Sequence, residues 1–399
     1  MGRNRTLTVA SLGMAQTLAW ASSYYLPAIL AVPMARDLGI GPSTVFAAFS
    51  VALVVSALLG PMAGKAIDRH GGRPVLAASN LVFAAALGLM AMAQGPLGLF
   101  AAWTVLGIGM AAGLYEAAFS TLVHLYGRNA RGAITGITLI AGFASTVGWP
   151  FTAWLELEWG WRGACGVWAG LHLLLGLPLN WRLPRAAEAV DGAVAPPAPL
   201  LAAPAPEGKP RPGRSARQTS ALLALAFAIT WFISTSMAAH LPRLLQAGGI
   251  PLATALVFAG LVGPAQVAGR LLEYGLLRRI HPLVSARVAG LMHTLGALAF
   301  LLFGVPAGAL LAVLHGAGNG VMTIARGTLP LVLFGSRDYG ARQGLLMVPA
   351  RFAQALSPWL FGLAIDRFGA SALWFSAALG LLGFAALMRL RDADADAAH

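Results

Sequence analysis

Gly64-Lys65-Ala66-Ile67-Asp68-Arg69-His70-Gly71-Gly72-Arg73 stands between two long apolar runs. Lys65, Arg69, His70 and Arg73 are basic or titratable, in a chain that is 58% hydrophobic. Such a stretch is not stable inside hydrocarbon, where every charged group costs several kcal/mol or more. It reads as a polar loop at a membrane surface, with an apolar crossing on either side.

Working outward, apolar runs of about 20 residues recur along the whole length, and each is long enough to cross a bilayer core of ~30 Å as a helix. They cover 9–33, 43–63, 75–94, 97–123, 132–155 and 163–180, then 219–242, 251–277, 284–304, 308–334, 343–365 and 371–388. Charged residues make up 10% of the chain and the mean hydropathy is +0.74, whereas a soluble domain carries about a quarter charged residues. No alternating ten-residue pattern of a membrane β-barrel is seen. The expected fold is an all-α membrane protein of about twelve transmembrane helices in two pseudo-symmetric six-helix bundles.

Between the two sets lies 183–217, which holds eight prolines among many alanines and reads as an extended linker. The expected organisation is a first bundle over 1–182, a cytoplasmic linker over 183–217 and a second bundle over 218–399 with a short tail. The net charge of +13 invites a nucleic-acid reading, but its placement argues otherwise. With 64–73 in the cytoplasm and alternating spans, 20 of the 27 Lys and Arg residues fall on the cytoplasmic side. Only Arg36, Arg162, Arg243 and Arg367 fall outside. That is the positive-inside bias. It places the chain in the cell's inner membrane with both termini cytoplasmic, and makes the lipid bilayer rather than nucleic acid the basic residues' partner.

The pattern Gly-x-x-x-Asp-Arg-x-Gly-x-Arg at 64–73 resembles the signature between the second and third helices of the major facilitator superfamily. The resemblance implies a non-enzymatic secondary transporter with the two-bundle fold, working by alternating access. It assigns Gly64, Asp68, Arg69, Gly71 and Arg73 to a gating loop that latches the halves in the outward-open state. On the residues themselves, Gly60 and Gly64 are expected to let two helices approach closely.

Arg270, Arg326 and Arg351 remain inside the apolar runs. Each costs roughly 2.5–3.5 kcal/mol near a helix centre on insertion scales, so such residues face a cavity or a partner. Each lies on a polar helical stripe: Gln266, Arg270 and Glu273; His315, Asn319, Thr323 and Arg326; Arg351, Gln354 and Ser357. The planar fork of an arginine suits a carboxylate or phosphate, so an anion site is expected at Arg270, Arg326, Arg351, Asn319 and Gln266. Structural bracing is the alternative for each arginine.

In the first half, Glu116 is the clear mid-span carboxylate. It suits either an ion pair with one of these arginines or carriage of a coupling proton. Tyr24, with Gln16, Trp20 and Ser23, and Tyr115 beside Glu116 are candidates for a cavity wall, or for ordinary packing. His172, His240 and His293 read as interfacial or packing residues. No metal-ligand spacing, nucleotide loop or catalytic triad is visible, so no metal or cofactor is expected.

Tyr126 through Gly136, followed by Gly142 and Pro150, resembles the start of the fifth helix in monocarboxylate and oxalate–formate carriers. Those carriers hold an arginine in the eighth helix that binds the substrate carboxylate, and Arg270 matches it. Monocarboxylate carriers place an aspartate four residues earlier, where this chain has Gln266, so that proton role does not carry over. Oxalate carriers add a lysine in the eleventh helix, where Arg351 is an analogue of different chemistry. The expected activity is transport of a small organic anion, proton-coupled or by exchange, by a monomer. The alternatives are a proton-coupled exporter of drugs or toxic compounds, including hydrophobic cations, and a membrane receptor that transports nothing.

Overall fold

The structure is a computed structural model and describes residues 2–126, 130–184, 216–275, 280–334 and 339–390. Among these residues the chain is helical, with no strand. Of the expected linker, only 183–184 and 216–217 are described. Arg128 and residues 276–279 also lie outside the described residues.

Nine continuous helical stretches among the described residues are long and apolar enough to cross a membrane. The difference from the expected twelve lies in how the chain turns. The stretches 132–181 and 346–389 are 50 and 44 residues long, about twice one crossing at 1.5 Å per residue. In the first, Gly160 adopts φ +67° and ψ 175° and bends the chain; that backbone shape favours glycine. In the second, a short 3₁₀ turn at Gly369–Ser371 does the same. The first run is split into α1 (Gly2–Ala21) and α2 (Pro27–Asp37).

The next helices are α3 (Pro42–His70), α4 (Gly72–Met92), α5 (Pro96–Gly113) and α6 (Tyr115–Tyr126). After them come α7 (Ala130–Ala141), α8 (Ala144–Leu171), a π-helical turn at His172–Gly176 and α9 (Leu177–Trp181). The second half contains α10 (Ala216–Ala247), α11 (Leu252–Gly260), α12 (Val262–Gly275) and α13 (Pro282–Phe303). It closes with α14 (Gly308–Phe334), α15 (Tyr339–Phe368) and α16 (Ala372–Arg389).

The stretch expected to be a loop is mostly helix. α3 runs seven residues past the apolar run, to His70, and one residue, Gly71 at φ +78°, turns the chain into α4. The helix continues past Pro61 to Gly71, whose N–H closes the last turn on the Ile67 carbonyl at 2.8 Å. Arg69 and His70 stand in that last turn, where cations are favoured by the helix dipole.

The described residues fall into two compact units. The first holds 2–184 together with 238–243 and 358–366; the second holds 216–237, 244–357 and 367–390. In the first, Trp103, Phe49, Phe83 and Trp149 are fully buried. In the second, Leu223, Phe227, Ala286, Met322, Leu329 and Leu387 share one core. Many large apolar side chains point outward, Leu174, Met92 and Phe303 among them. A soluble protein would hide such an area; a lipid-facing surface displays it.

Candidate functional site

In the first unit the polar side chains gather where the helices break. Between α1 and α2, Ser22 donates to His172 Nε2 at 2.7 Å, and His172 Nδ1–H in turn donates to Asn80 Oδ1 at 2.9 Å; the Leu18 carbonyl lies 2.8 Å from the same hydroxyl. The Tyr25 carbonyl, freed by the break, accepts from Trp149 Nε1 at 3.2 Å. Between α5 and α6 the backbone extends at Leu114, and the freed Gly113 carbonyl accepts from Gln16 Nε2 at 2.7 Å. Broken helices persist at membrane depth only where such partners satisfy the backbone.

These two breaks bring the aromatic candidates together. Trp20 lies 4.9 Å from Tyr24 and 4.8 Å from Tyr115, between ring centroids, and Tyr115 stacks on Phe119 at 5.2 Å. Tyr24 is buried, Tyr115 half-buried and Glu116 exposed. Glu116 stands in the first turn of α6, where a carboxylate is favoured by the helix dipole. Its Oε2 lies 3.2 Å from where a Cβ on Gly60 would stand, so Gly60 leaves room for the carboxylate. Gly64 differs from the expectation: among the described residues nothing lies within 4 Å of a Cβ built there.

The gating-loop residues are placed unevenly. Asp68 and Arg69 are exposed and form no ion pair among the described residues. Arg73 instead lies over the Trp181 ring at 4.9 Å. Two ion pairs link residues expected outside the membrane, Arg162 with Asp37 and Arg243 with Asp366. The Arg162 guanidinium, donating to Asp37, holds that carboxyl below its ordinary range, while loss of hydration acts the other way.

In the second unit the polar stripe of α14 is the centre. Arg326 is 8% exposed and its guanidinium carbon lies 4.3 Å from the Trp231 ring centroid on α10. Two turns earlier, Asn319 Oδ1 accepts from Ser234 Oγ of α10 at 3.0 Å. On α12, Arg270 is half-buried and approaches Gln266 Oε1 at 3.4 Å, while Glu273 is buried and makes no ion pair among the described residues. Arg351 is half-buried on α15, two turns before Ser357, which donates to the Gln354 carbonyl at 3.1 Å.

Glycines bring the Gln266 and Asn319 stripes side by side. A Cβ on Gly269 would stand 2.6 Å from the Ala317 carbonyl, and one on Gly316 at 2.6 Å from that of Val262. A Cβ on Gly320 would run into the Gln266 carbonyl. The motif Gly316-x-x-x-Gly320 was the sequence signal for this contact, and reading it needed a partner helix that the sequence does not name.

His293 was expected to be an interfacial or packing residue. It lies instead in a buried hydrogen-bonded chain. Its Nδ1 is 3.1 Å from Nδ1 of His315, and its Nε2 is 3.2 Å from Ser376 Oγ. His315 and Asn319 both line a cavity of about 30 Å³ between α10, α13, α14 and α16.

A sequence model of the family described as Major Facilitator Superfamily matches residues 12–314. A curated relative from Thermoproteus tenax, described as an uncharacterized 38 kDa protein in the 23S RNA operon, is 28% identical over 371 residues. That match covers 91% of this chain and 90% of the relative. Among solved structures, the nucleoside transporter NupG superposes with a TM-score of 0.74 at 13% identity, over 96% of this chain and 99% of its own. A bacterial homologue of the human lysosomal transporter Spinster, inward-facing and occupied, superposes at 0.63 with 16% identity, over 96% and 94%. Likeness at those identities is likeness of fold.

Proposed function

The chain belongs to the Major Facilitator Superfamily, and from that membership and the cation-bearing faces of α12, α14 and α15 we propose that it carries a small organic anion, carboxylate-bearing, across the membrane. It is a multi-pass membrane protein and a secondary transporter rather than an enzyme; the anion and its coupling are the proposal. The observation that carries it is Arg326: a guanidinium 8% exposed within an apolar helix, lying on Trp231 with Asn319 on the same stripe. A planar cation among neutral hydrogen-bonding groups suits a carboxylate. Arg270 and Arg351 supply the second and third contacts or the gate, and Gln266 and Asn319 supply orienting hydrogen bonds. The transport cycle is alternating access, driven by protons or by exchange.

In the same reading the protein works as a monomer in the inner cell membrane with both termini cytoplasmic, on the strength of its positive-inside bias. Its bundles are 1–182 and 218–399, joined by 183–217. Gly64, Asp68, Arg69, Gly71 and Arg73 form the cytoplasmic latch.

The test is the thermal stability of the purified protein against mono-carboxylates, di-carboxylates, phosphorylated acids and lipophilic cations. A ligand at 100 times its dissociation constant stabilises by about 2.7 kcal/mol. A carboxylate is expected to stabilise the wild type but not Arg270→Ala, and Arg270→Ala and Arg351→Ala are expected to lose transport at normal expression. Full activity in both variants sinks the anion site.

A second reading rests on the aromatic group of Trp20, Tyr24 and Tyr115 beside Glu116. Those rings and that carboxylate suit a hydrophobic cation, and the protein would then be a proton-coupled exporter. Stabilisation by cations alone, lost in Glu116→Gln and kept in Arg270→Ala, selects it.

A further inference from the structure

The helices α10, α13, α14 and α16 contain no Asp or Glu. The titratable groups they enclose are His293 and His315, 6% and 5% exposed. The charged groups on these four helices nearest the pair stand apart from it, and α12, which packs against α14, adds Arg270 beside Gln266 and the buried Glu273. Arg287 on α13 donates to the Leu387 and Leu390 carbonyls, and Arg326 on α14 lies three turns on, over Trp231. From α10 the cavity is faced by Thr230 and Ser234, and the group that α16 presents to the pair is Ser376.

The protons are assigned outward from the Ser376 hydroxyl, taken as bonded to its shorter contact. Ser376 donates its hydroxyl hydrogen to the Leu373 carbonyl at 3.0 Å, so its oxygen accepts from His293 Nε2–H. His293 Nδ1 is therefore an acceptor, and the donor facing it is Nδ1–H of His315. One lone pair is left over, on Nε2 of His315, which has no partner among the described residues. His315 lines the cavity, whose 30 Å³ has room for a water molecule.

We infer that the His293–His315 pair is the coupling-proton site of this protein and binds one proton, at Nε2 of His315. The proton adds to that lone pair from water, and no existing hydrogen bond breaks: Nδ1–H of the imidazolium still donates to His293. A second proton finds no lone pair, because Nδ1 of His293 is already accepting and its Nε2 already carries hydrogen. Two imidazolium rings at this separation would also repel. The loaded site sets a positive charge one turn from Asn319. On the anion-carrier reading, which this assignment deepens, proton and anion then raise each other's affinity, and by linkage to the same degree. Co-transport of anion and proton in the same direction follows.

The test is a pH titration of the full-length protein in detergent with 15N-labelled histidine rings. The expected result is one joint step in which His293 and His315 take up a single proton, with His293 keeping its Nε2–H form and the step absent in His315→Gln. Two separate steps, or protonation first at His293, overturn it. Where His315→Gln fails to fold, Ser376→Ala keeps both rings and removes the acceptor that fixes the tautomer. A shifted midpoint is expected there, and an unchanged titration overturns the assignment. This measurement uses no substrate, so it stands apart from the anion reading. In proteoliposomes given lactate or oxalate, an inward proton gradient is expected to raise wild-type uptake at least tenfold, and the ratio with and without gradient to fall to about one in His315→Gln. An undiminished ratio in that variant overturns the coupling role, whereas no lactate or oxalate flux in the wild type counts against the anion reading alone.

Discussion

Gln16 and Trp149 in the first half answer breaks in the helix backbone, whereas Asn319 and Arg326 in the second half stand within one continuous helix, α14. Gln16 and Trp149 are spent on the Gly113 and Tyr25 carbonyls that the breaks expose. Asn319 and Arg326 meet Ser234 and Trp231 on the neighbouring α10 instead. A neutral group closing a backbone gap is held by geometry. A cation on a ring keeps its planar face of donors oriented, and that is the kind of group a solute can recruit. Both halves bring helices into close contact at glycines, with different neighbours. On the α12–α14 seam three glycines meet backbone carbonyls, whereas in the first half Gly107 meets the Ala52 carbonyl and Gly148 meets the Ala21 side chain.

The sharpest way to break the comparison is Gly320→Val, which drives a side chain into the Gln266 carbonyl. Overpacking of this kind costs about 1–3 kcal/mol or more, and here the obstacle is backbone. The variant is expected to lose most folded protein in size-exclusion profiles, and normal yield would show that α12 and α14 can separate freely. Arg326→Ala comes next. It removes a cation–π contact worth about 0.5–2 kcal/mol, so the melting temperature is expected to drop measurably and transport to fall by far more than stability does. Equal loss of both would make Arg326 a brace.

A smaller effect is expected at the Asp37–Arg162 pair. Asp37 is depressed in the folded protein by the Arg162 hydrogen bond. Its contribution is therefore fully present above its unfolded value and is lost as pH falls through the depressed one. Melting temperature followed downward through the acid range is expected to fall less steeply in Asp37→Asn than in wild type. Identical curves would remove the pair from the account. The smallest effect is Gly64→Ala, with nothing within 4 Å of the new methyl among the described residues. A helical Gly-to-Ala change in open space stabilises by up to about 1 kcal/mol. A slightly raised melting temperature is expected, while a drop would restore the close-approach role expected of Gly64.

Much of this was legible in the chain. The apolar runs placed most of the helices to within a few residues, because a span must be long and apolar whatever it packs against. The polar stripes on α12, α14 and α15 were visible for the same reason: helical periodicity alone decides which residues share a face. The extension of α3 through Asp68 and Arg69 was not visible, because charge marks where the membrane ends and not where the helix does. The breaks at Ser22 and Leu114 were hidden because their stability depends on Gln16 and Trp149, 97 and 124 residues away from the carbonyls they satisfy.

Composition and periodicity by themselves determined that the protein is a helical, multi-pass membrane protein, that three arginines lie within its spans, and that His315, Asn319 and Arg326 share one face of one helix. Each of those follows from the cost of polar groups in hydrocarbon and the pitch of a helix, which are local. Only the tertiary structure decided what each face meets: Trp231 under Arg326, Ser234 at Asn319, His293 and then Ser376 beyond His315. Those partners come from other helices, and how closely the helices pass shows only in the fold: a Cβ on Gly318 of α14 would stand 2.8 Å from the Ala289 carbonyl of α13, and one on Gly380 of α16 would run into Thr294 of α13.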